Sequence, residues 1–263
     1  MRKSPRILCL VGAGLSAPSG LATWRGTSGH WRNVDLKSLA SPKAFAEDPV
    51  TVWSFYGERL LESMSSRPND AHVALAALAS WHDGFLTLSQ NVDGLLERSG
   101  YPVSRLINIH GTLQVVRCTA CDYKIHIQKP EDLLFLTLLS GAISPMEVAL
   151  SDLPHCPDCT QLLRPDIVWF GESLAADALE RIENWLLEEG IELVMAVGTS
   201  LNVFPAAEWV NMARANGACL ALIDPNVDHQ SLGEFNDGDL IFEQDVMAVL
   251  PEVSRLLKTR WNI

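Results

Sequence analysis

Apolar positions along this chain fall into two alternating patterns. Short runs rich in apolar and β-branched residues, ILCLV (7–11), FLTLS (85–89), ELVMAV (192–197) and CLALI (219–223), end abruptly in GAG, QNVD, GTS and DPN. Runs of this length, closed by small or polar turn residues, predict buried strands. Between them, apolar residues recur at helical spacing over 42–64, 70–82, 173–189, 205–216 and 245–258, which predicts amphipathic helices. Strands alternating with helices imply an α/β fold on a parallel sheet with crossover helices. Ligands of such sheets bind beyond the carboxyl ends of the strands, so the four turns should converge on one cleft.

Two stretches break the alternation. Residues 112–165 hold two Cys-x-x-Cys pairs and an apolar insert flanked by Pro130, Pro145 and Pro154. They read as a small metal-bearing module inserted into the α/β domain. Residues 26–80 begin with a Gly/Ser/Thr loop and turn helical. The expected organisation is therefore an α/β domain from 1–25, 81–111 and 166–263, a helical excursion at 26–80, and the module at 112–165.

The chain has 263 residues, 48% hydrophobic and 20% charged, with a formal net charge of -12. That balance describes a soluble globular protein and argues against broad binding to nucleic acid or an anionic membrane. The start, MRKSPRILCLVGAGLSAPSGLA, loosely mimics a secretory signal. A first strand running into a glycine turn is the better reading, because cleavage would discard the glycines. The most apolar internal segment, LLFLTLLSGAI (133–143), is too short to span a bilayer, so no transmembrane segment is predicted.

Of six cysteines, four form the pairs CTAC (118–121) and CPDC (156–159). Two tight turns, each offering thiolates at this spacing, can complete a tetrahedron around one zinc. Four sulfurs leave no open position, so Cys118, Cys121, Cys156 and Cys159 predict a structural ion rather than disulfides. A cytoplasmic or otherwise reducing compartment follows. His155 is a competing ligand beside Cys156. Cys9 and Cys219 lie in strand-like apolar runs and read as inert core residues.

The remaining turns carry polar chemistry. GAGLSAPSGLATWRG follows a strand, and its glycines allow a tight turn and close backbone approach to a pyrophosphate. The G-x-G-x-x-A pattern is only partly a dinucleotide fingerprint, since Pro18 and Gly20 interrupt the helix that should follow. Arg25 adds a cation. Asn91 or Asp93 in QNVD suits either a ligand or a helix cap. His110, in INIHG, is a general-base candidate or a hydrogen-bonded structural histidine.

Taken together, GAGLSAPSGLATWR, QNVD, IHG, CTAC…CPDC, LRPDIVWFGE (163–172) and GTSLNVFPAAE (198–208) resemble a sirtuin, an NAD-dependent protein lysine deacylase. The motifs occur in family order over about residues 7–251. The resemblance implies a Rossmann-like domain plus a small zinc-binding domain, with NAD and acyl-lysine entering the cleft between them. It implies His110 as catalytic base, with Asn91 and Asp93 organising the nicotinamide end of NAD. It implies cofactor contacts from Gly12, Ala13, Gly14, Ser16, Thr23, Trp24, Arg25, Gln90, Val92, Gly198, Thr199, Ser200, Asp224, Pro225, Asn226 and Val246. Val168, Phe170, Gly171 and Glu172 match the segment that pairs with the substrate backbone as an added strand. The products would be nicotinamide, O-acyl-ADP-ribose and free lysine. The partners would be acyl-lysine peptides or proteins, without direct nucleic acid or membrane binding; the assembly state, monomer or larger, stays open.

One helical pair narrows this reading. In WSFYGERLLESM (53–64), Tyr56 and Arg59 lie side by side at the edge of an apolar stripe. Alone, Arg59 reads as a snorkelling cation paired with Glu62. The class III branch of sirtuins, however, carries Tyr-x-x-Arg on a helix lining the acyl channel. A guanidinium matches a terminal carboxylate with two parallel hydrogen bonds, and a phenol adds a third donor. Each charged hydrogen bond contributes about 1.5–3 kcal/mol, so the resemblance implies removal of succinyl, malonyl or glutaryl groups ahead of acetyl.

Four positions depart from the family pattern: Trp24 replaces Phe, Leu36 replaces a small residue, Pro18 replaces an acid, and Asp224 begins a segment that normally begins with Asn. Three other readings share the motifs. They are a plain NAD-dependent deacetylase, a mono-ADP-ribosyl transferase, and a non-enzymatic NAD-binding scaffold.

Overall fold

The apolar runs read as strands become the centre of a larger sheet. The computed structural model describes residues 5–23, 30–32, 34–140, 148–188, 190–229 and 236–261. Its strands in chain order are β1 (Arg6–Val11), β2 (His30–Trp31), β3 (Val34–Asp35), β4 (Phe85–Ser89), β5 (Leu106–Asn108), β6 (Gly111–Cys118), β7 (Lys124–His126), β8 (Leu163–Ile167), β9 (Ile191–Val197), β10 (Cys219–Ile223) and β11 (Leu240–Phe242). Its α-helices are α1 (Leu36–Leu39), α2 (Pro42–Glu47), α3 (Pro49–Ser65), α4 (Asp70–Trp81), α5 (Leu95–Arg98), α6 (Leu134–Ser140), α7 (Ala176–Leu187), α8 (Ala206–Ala215) and α9 (Val246–Trp261).

Six strands form one parallel sheet in the order β11-β10-β9-β1-β4-β5. The four strands expected from sequence are its inner members. The edge strands β5 and β11 are three residues each, too short to show a periodicity. Side chains alternate across the sheet. Ile7, Cys9 and Val11 enter one core layer with α4 and α9, while Leu8 and Leu10 enter the other with α7 and α8. Both faces are covered, which is why these strands read as unbroken apolar runs.

Local chemistry sets the helix boundaries. The pattern at 42–64 is two helices rather than one, because Pro49 opens α3 and the Asp48 carboxylate accepts the Thr51 N–H at 3.0 Å. Asn69 caps α4 by accepting the N–H groups of Ala71 and His72. Counted from sequence with the excursion at 26–80, α4 packs on the large sheet beside α9, through Ala71, Leu75 and Leu78 against Val249 and Leu250.

The order of strands creates a switch. From β1 the chain proceeds to β4 and β5 on one side, then returns to β9, β10 and β11 on the other. The crevice of such a sheet lies where this reversal occurs, between β1 and β9. A second sheet, β7-β6-β8, is antiparallel and starts at Gly111, immediately after His110. A third core joins it to α3 and α6: the buried Trp53 indole donates to the Leu163 carbonyl at 2.8 Å and meets Phe135 edge to face. Among the described residues, no helix is long and apolar enough to cross a membrane.

Gly198 sits at the switch with φ +58, and a Cβ there would lie 2.3 Å from the Leu15 nitrogen, which is backbone and cannot step aside. Gly198→Ala should therefore cost about 3 kcal/mol or more from overpacking and left-handed strain. A urea titration checks this; an unchanged midpoint would show that the two loops are free to separate.

Candidate active site

Two glycine loops meet at the switch. Gly12 donates to the Val197 carbonyl at 3.0 Å, and Gly14 to the Gly198 carbonyl at 2.9 Å. A Cβ on Gly12 would fall 2.7 Å from the Gly198 oxygen, and one on Gly14 would fall 2.6 Å from the Gly198 Cα. The glycines thus serve loop-to-loop contact as well as the turn itself. After Gly12 the chain makes two 3-10 turns, Ala13–Leu15 and Ala17–Ser19, instead of the helix of a common dinucleotide fold. The N–H groups of Ala13, Thr199 and Ser200 meet no partner among the described residues. Unpaired N–H groups gathered around glycine turns form the donor set a pyrophosphate needs, so the loops fit a dinucleotide.

The β4 end supplies the polar floor. Gln90 Nε2 donates to Thr199 Oγ1 at 2.8 Å, bridging the two halves of the sheet. Asn91 Nδ2 donates to the Gly12 carbonyl at 3.0 Å and lies 3.3 Å from Ser16 Oγ. Ser16 Oγ is also 3.3 Å from His72 Nε2. One Asp93 carboxylate oxygen accepts the Leu95 N–H at 2.8 Å, just ahead of α5, whose cap is Gly94, and Ser16 hydrogen-bonds the same side chain. Burial pushes its carboxyl above the ordinary range, partly offset by these donors. Its carbonyl is held by Ser63 Oγ at 2.5 Å and Gln114 Nε2 at 2.7 Å.

His110 stands at the end of β5. Its Nδ1 donates to the Gln90 carbonyl at 3.0 Å, since a carbonyl can only accept. That bond fixes the tautomer and leaves Nε2 unprotonated, able to accept a proton. Burial lowers its pKa from 6.5, with the Gln90 bond opposing. His72 went unread in the sequence, because one histidine in an apolar helical run looks like a core residue. Its proximity to Ser16 shows only in three dimensions, and burial lowers its pKa to about 4.

The opposite wall follows β8. Val168 donates to the His110 carbonyl and Phe170 to the Ala40 carbonyl, both at 2.9 Å. The Gly171 N–H and the Val168 carbonyl meet no partner among the described residues. Phe170 is 52% exposed while Trp169 beside it is buried. Tyr56 stacks on Trp169 with ring centroids 6.2 Å apart. Burial pushes the phenol well above its ordinary range, with Trp169, Arg164 and Arg59 pulling it back. Arg59 keeps only 19% of its side chain exposed. Its Nη1 is 3.3 Å from the Ala22 carbonyl and 3.9 Å from Glu62, and its Cζ lies 5.4 Å from the Phe55 centroid.

Other expected residues fall in several places. Thr23 is the last described residue of its loop, and Trp24 and Arg25 lie outside the described residues. Val92 packs at the edge of the α3 core, and its carbonyl accepts the Leu113 N–H. Asp224 ends β10 and accepts the Asn226 N–H at 2.8 Å, so Asp224, Pro225 and Asn226 form a turn at the same sheet edge. The Val246 side chain is buried in the core with Val249 and Leu250. Leu36 is buried in the core that holds Tyr56 and Trp169. The Glu172 carboxylate is taken by Arg164 at 2.6 Å.

The two cysteine pairs converge. Their four sulfurs lie within 4.8 Å of one another. The nearest approaches, Cys118 to Cys159 at 3.4 Å and Cys121 to Cys156 at 3.5 Å, are far beyond a disulfide bond of about 2.05 Å. They are close to the edge of about 3.8 Å expected for a tetrahedron with Zn–S of about 2.3 Å. The cluster fits a structural zinc. His155 is outside it, with Nδ1 donating to the Leu153 carbonyl at 2.8 Å.

Comparison with known proteins agrees with this geometry. Residues 12–205 match the Sir2 family. The chain is 35% identical over 283 aligned positions to an NAD-dependent protein deacylase of Candida albicans, covering 95% of this chain and 92% of that protein. It is similar to a solved Sir2 homologue–NAD complex, with TM-score 0.82 and 32% identity over 98% of this chain and 91% of the other. It also resembles a Sir2–p53 peptide–NAD+ complex, with TM-score 0.75 and 28% identity over 99% and 95%.

The buried His72 has a signed consequence. Below pH 6.5 the unfolded chain takes a proton there that the folded chain refuses until about pH 4. Stability should therefore fall as pH drops through that window, at up to roughly 1.4 kcal/mol per unit. His72→Gln should flatten this slope relative to the wild type in urea titrations at pH 6.5 and 4.5. Parallel slopes would show that His72 already exchanges protons with solvent.

Proposed function

The chain belongs to the Sir2 family and is an NAD-dependent protein deacylase; within that activity we propose a preference for succinyl-, malonyl- and glutaryl-lysine over acetyl-lysine. The observation that carries this reading is Arg59. It is mostly buried, yet its contacts with Ala22 at 3.3 Å and Glu62 at 3.9 Å are longer than the 2.7–2.9 Å typical of a satisfied charged hydrogen bond. A cation largely shielded from water and without a close counter-ion among the described residues is costly, and a carboxylate entering beside it recovers that cost. The neighbouring Tyr56, on the same flank of α3 and against Trp169, keeps its phenol protonated and able to donate.

The roles of the remaining residues follow from their positions. Gly12, Ala13, Gly14, Ser16, Gly198, Thr199 and Ser200 would hold the phosphates of NAD at the switch of the sheet. Gln90, Asn91 and Asp93 would organise its nicotinamide end. When bound, NAD supplies an activated ribose carbon and the hydroxyls that accept the acyl group. His110, neutral and fixed through Nδ1, removes a hydroxyl proton with Nε2. The peptide adds as a strand along Val168–Gly171, using the Gly171 N–H and Val168 carbonyl that are unpaired among the described residues. The four-thiolate cluster is compatible with the cytoplasm or another reducing compartment, where we place the protein.

Two measurements test this assignment. Arg59→Met should lower kcat/KM for a succinyl-lysine peptide about tenfold or more, the loss of at least one charged hydrogen bond. Acetyl-lysine turnover should stay within about threefold. Retention of succinyl turnover, or joint loss of both through unfolding, removes the support for an anionic-acyl site. The lowered His110 pKa also places the acidic limb of the kcat/KM profile below 6.5; a limb at or above 6.5 would assign the base elsewhere.

A further inference from the structure

Arg117 and Arg164 face each other directly across the β6–β8 ladder. Like charges in that arrangement repel unless a counter-ion lies between them. Glu172, beyond the end of β8, supplies it. Its carboxylate takes both guanidinium arms of the buried Arg164, at 2.6 and 2.9 Å, and lies 3.8 Å from Arg117. Asp166 neutralises the outer side, at 3.2 Å from Arg117 and 2.8 Å from Lys124. Burial alone would push the Glu172 carboxyl up, but Arg164 and the Trp169 N–H outweigh it and hold it below the usual range.

The same carboxylate shapes the chain it belongs to. Glu172 Oε2 accepts the Trp169 N–H at 2.9 Å, and the Glu172 N–H returns to the Trp169 carbonyl at 3.0 Å. The result is a closed turn with Gly171 at φ +90, the left-handed position a type II turn requires. Beneath it, the Arg164 guanidinium lies 3.4 Å from the Trp169 ring centroid. A second Arg164 nitrogen holds the Ile167 carbonyl at 2.9 Å. Arg164 and Glu172 thus hold the Ile167 carbonyl, the Trp169 ring and the Trp169 N–H, adding to the backbone bonds of Val168 to His110 and of Phe170 to Ala40.

We infer that Glu172 is a positioning residue for the peptide edge, acting through Arg164 and the Trp169 turn rather than by touching substrate. This assignment rests on the reading of Val168–Gly171 as the edge that receives the acyl-peptide. It differs from the sequence expectation, in which Glu172 was itself a substrate contact. It also ties the edge to the cysteine cluster, because Arg117 and Arg164 immediately adjoin Cys118 and Leu163, the next cross-strand pair of the ladder.

Steady-state kinetics of Glu172→Gln and Glu172→Ala, with melting temperatures alongside, test the inference. Gln keeps an acceptor for the Trp169 N–H but loses the charge; Ala loses both. KM for the acyl-peptide should rise about tenfold in the Gln variant and further in the Ala variant, the size expected for charged hydrogen bonds. KM for NAD should remain within about twofold in both, since neither loop of the switch is touched. The rise should be the same for acetyl- and succinyl-lysine peptides, so it is read independently of Arg59, and wild-type turnover confirms the activity itself. An unchanged peptide KM in folded Glu172→Ala, an equal rise in both KM values, or failure of Glu172→Gln to fold would each overturn the assignment.

Discussion

Two backbone loops touch at the reversal of the strand order only because neither carries a Cβ at the point of contact. Gly12 and Gly14 lie against Gly198 closely enough that any side chain would meet backbone atoms within 3 Å. That contact closes the seam between β1 and β9, beside which the N–H groups of Ala13, Thr199 and Ser200 meet no partner among the described residues. It also sets the reach of the β4 end, where Gln90 grips Thr199 and Asn91 grips the Gly12 carbonyl. His110 is located in turn by the Gln90 carbonyl. Gln90, Asn91 and His110, the side chains to which we assign the chemistry, are thus hung, one from the next, on a meeting of glycines.

Burial then decides how these groups behave. His72 and His110 are both held neutral by desolvation, and Asp93 is pushed toward protonation. A site containing neutral imidazoles and a reluctant carboxylate resists adding charge, which suits a base that must accept one proton and release it. The cations are arranged differently. Arg164 is matched by Glu172, whereas Arg59 reaches no anion closer than Glu62 at 3.9 Å among the described residues. In a chain of net charge -12, a mostly buried guanidinium without a close anion among the described residues stands out, and it lies one turn from the Tyr56–Trp169 stack.

Much of this was legible before the structure. The inner strands read clearly because helices cover both faces of the sheet, and the cysteine pairs because a tetrahedral metal imposes its own spacing on the chain. The break at Pro49 was available in the Asp48–Pro49 dipeptide but was masked by the apolar stripe running on both sides of it. Strand β11 is three residues long, too short for a periodicity. His72 and the Arg117–Arg164–Glu172 group were not legible at all. Each depends on residues brought together by strand pairing or helix docking, and nothing in linear spacing marks Glu172 as the partner of Arg164.

The selectivity of the wild-type enzyme reports most directly on the central claim that the mostly buried Arg59 cation receives the acyl tail. One peptide sequence, carrying either succinyl- or acetyl-lysine, should be compared by kcat/KM at saturating NAD. The expected ratio favours succinyl by about tenfold or more. Equal values, or a preference for acetyl, would contradict the claim and leave Arg59 as a structural residue.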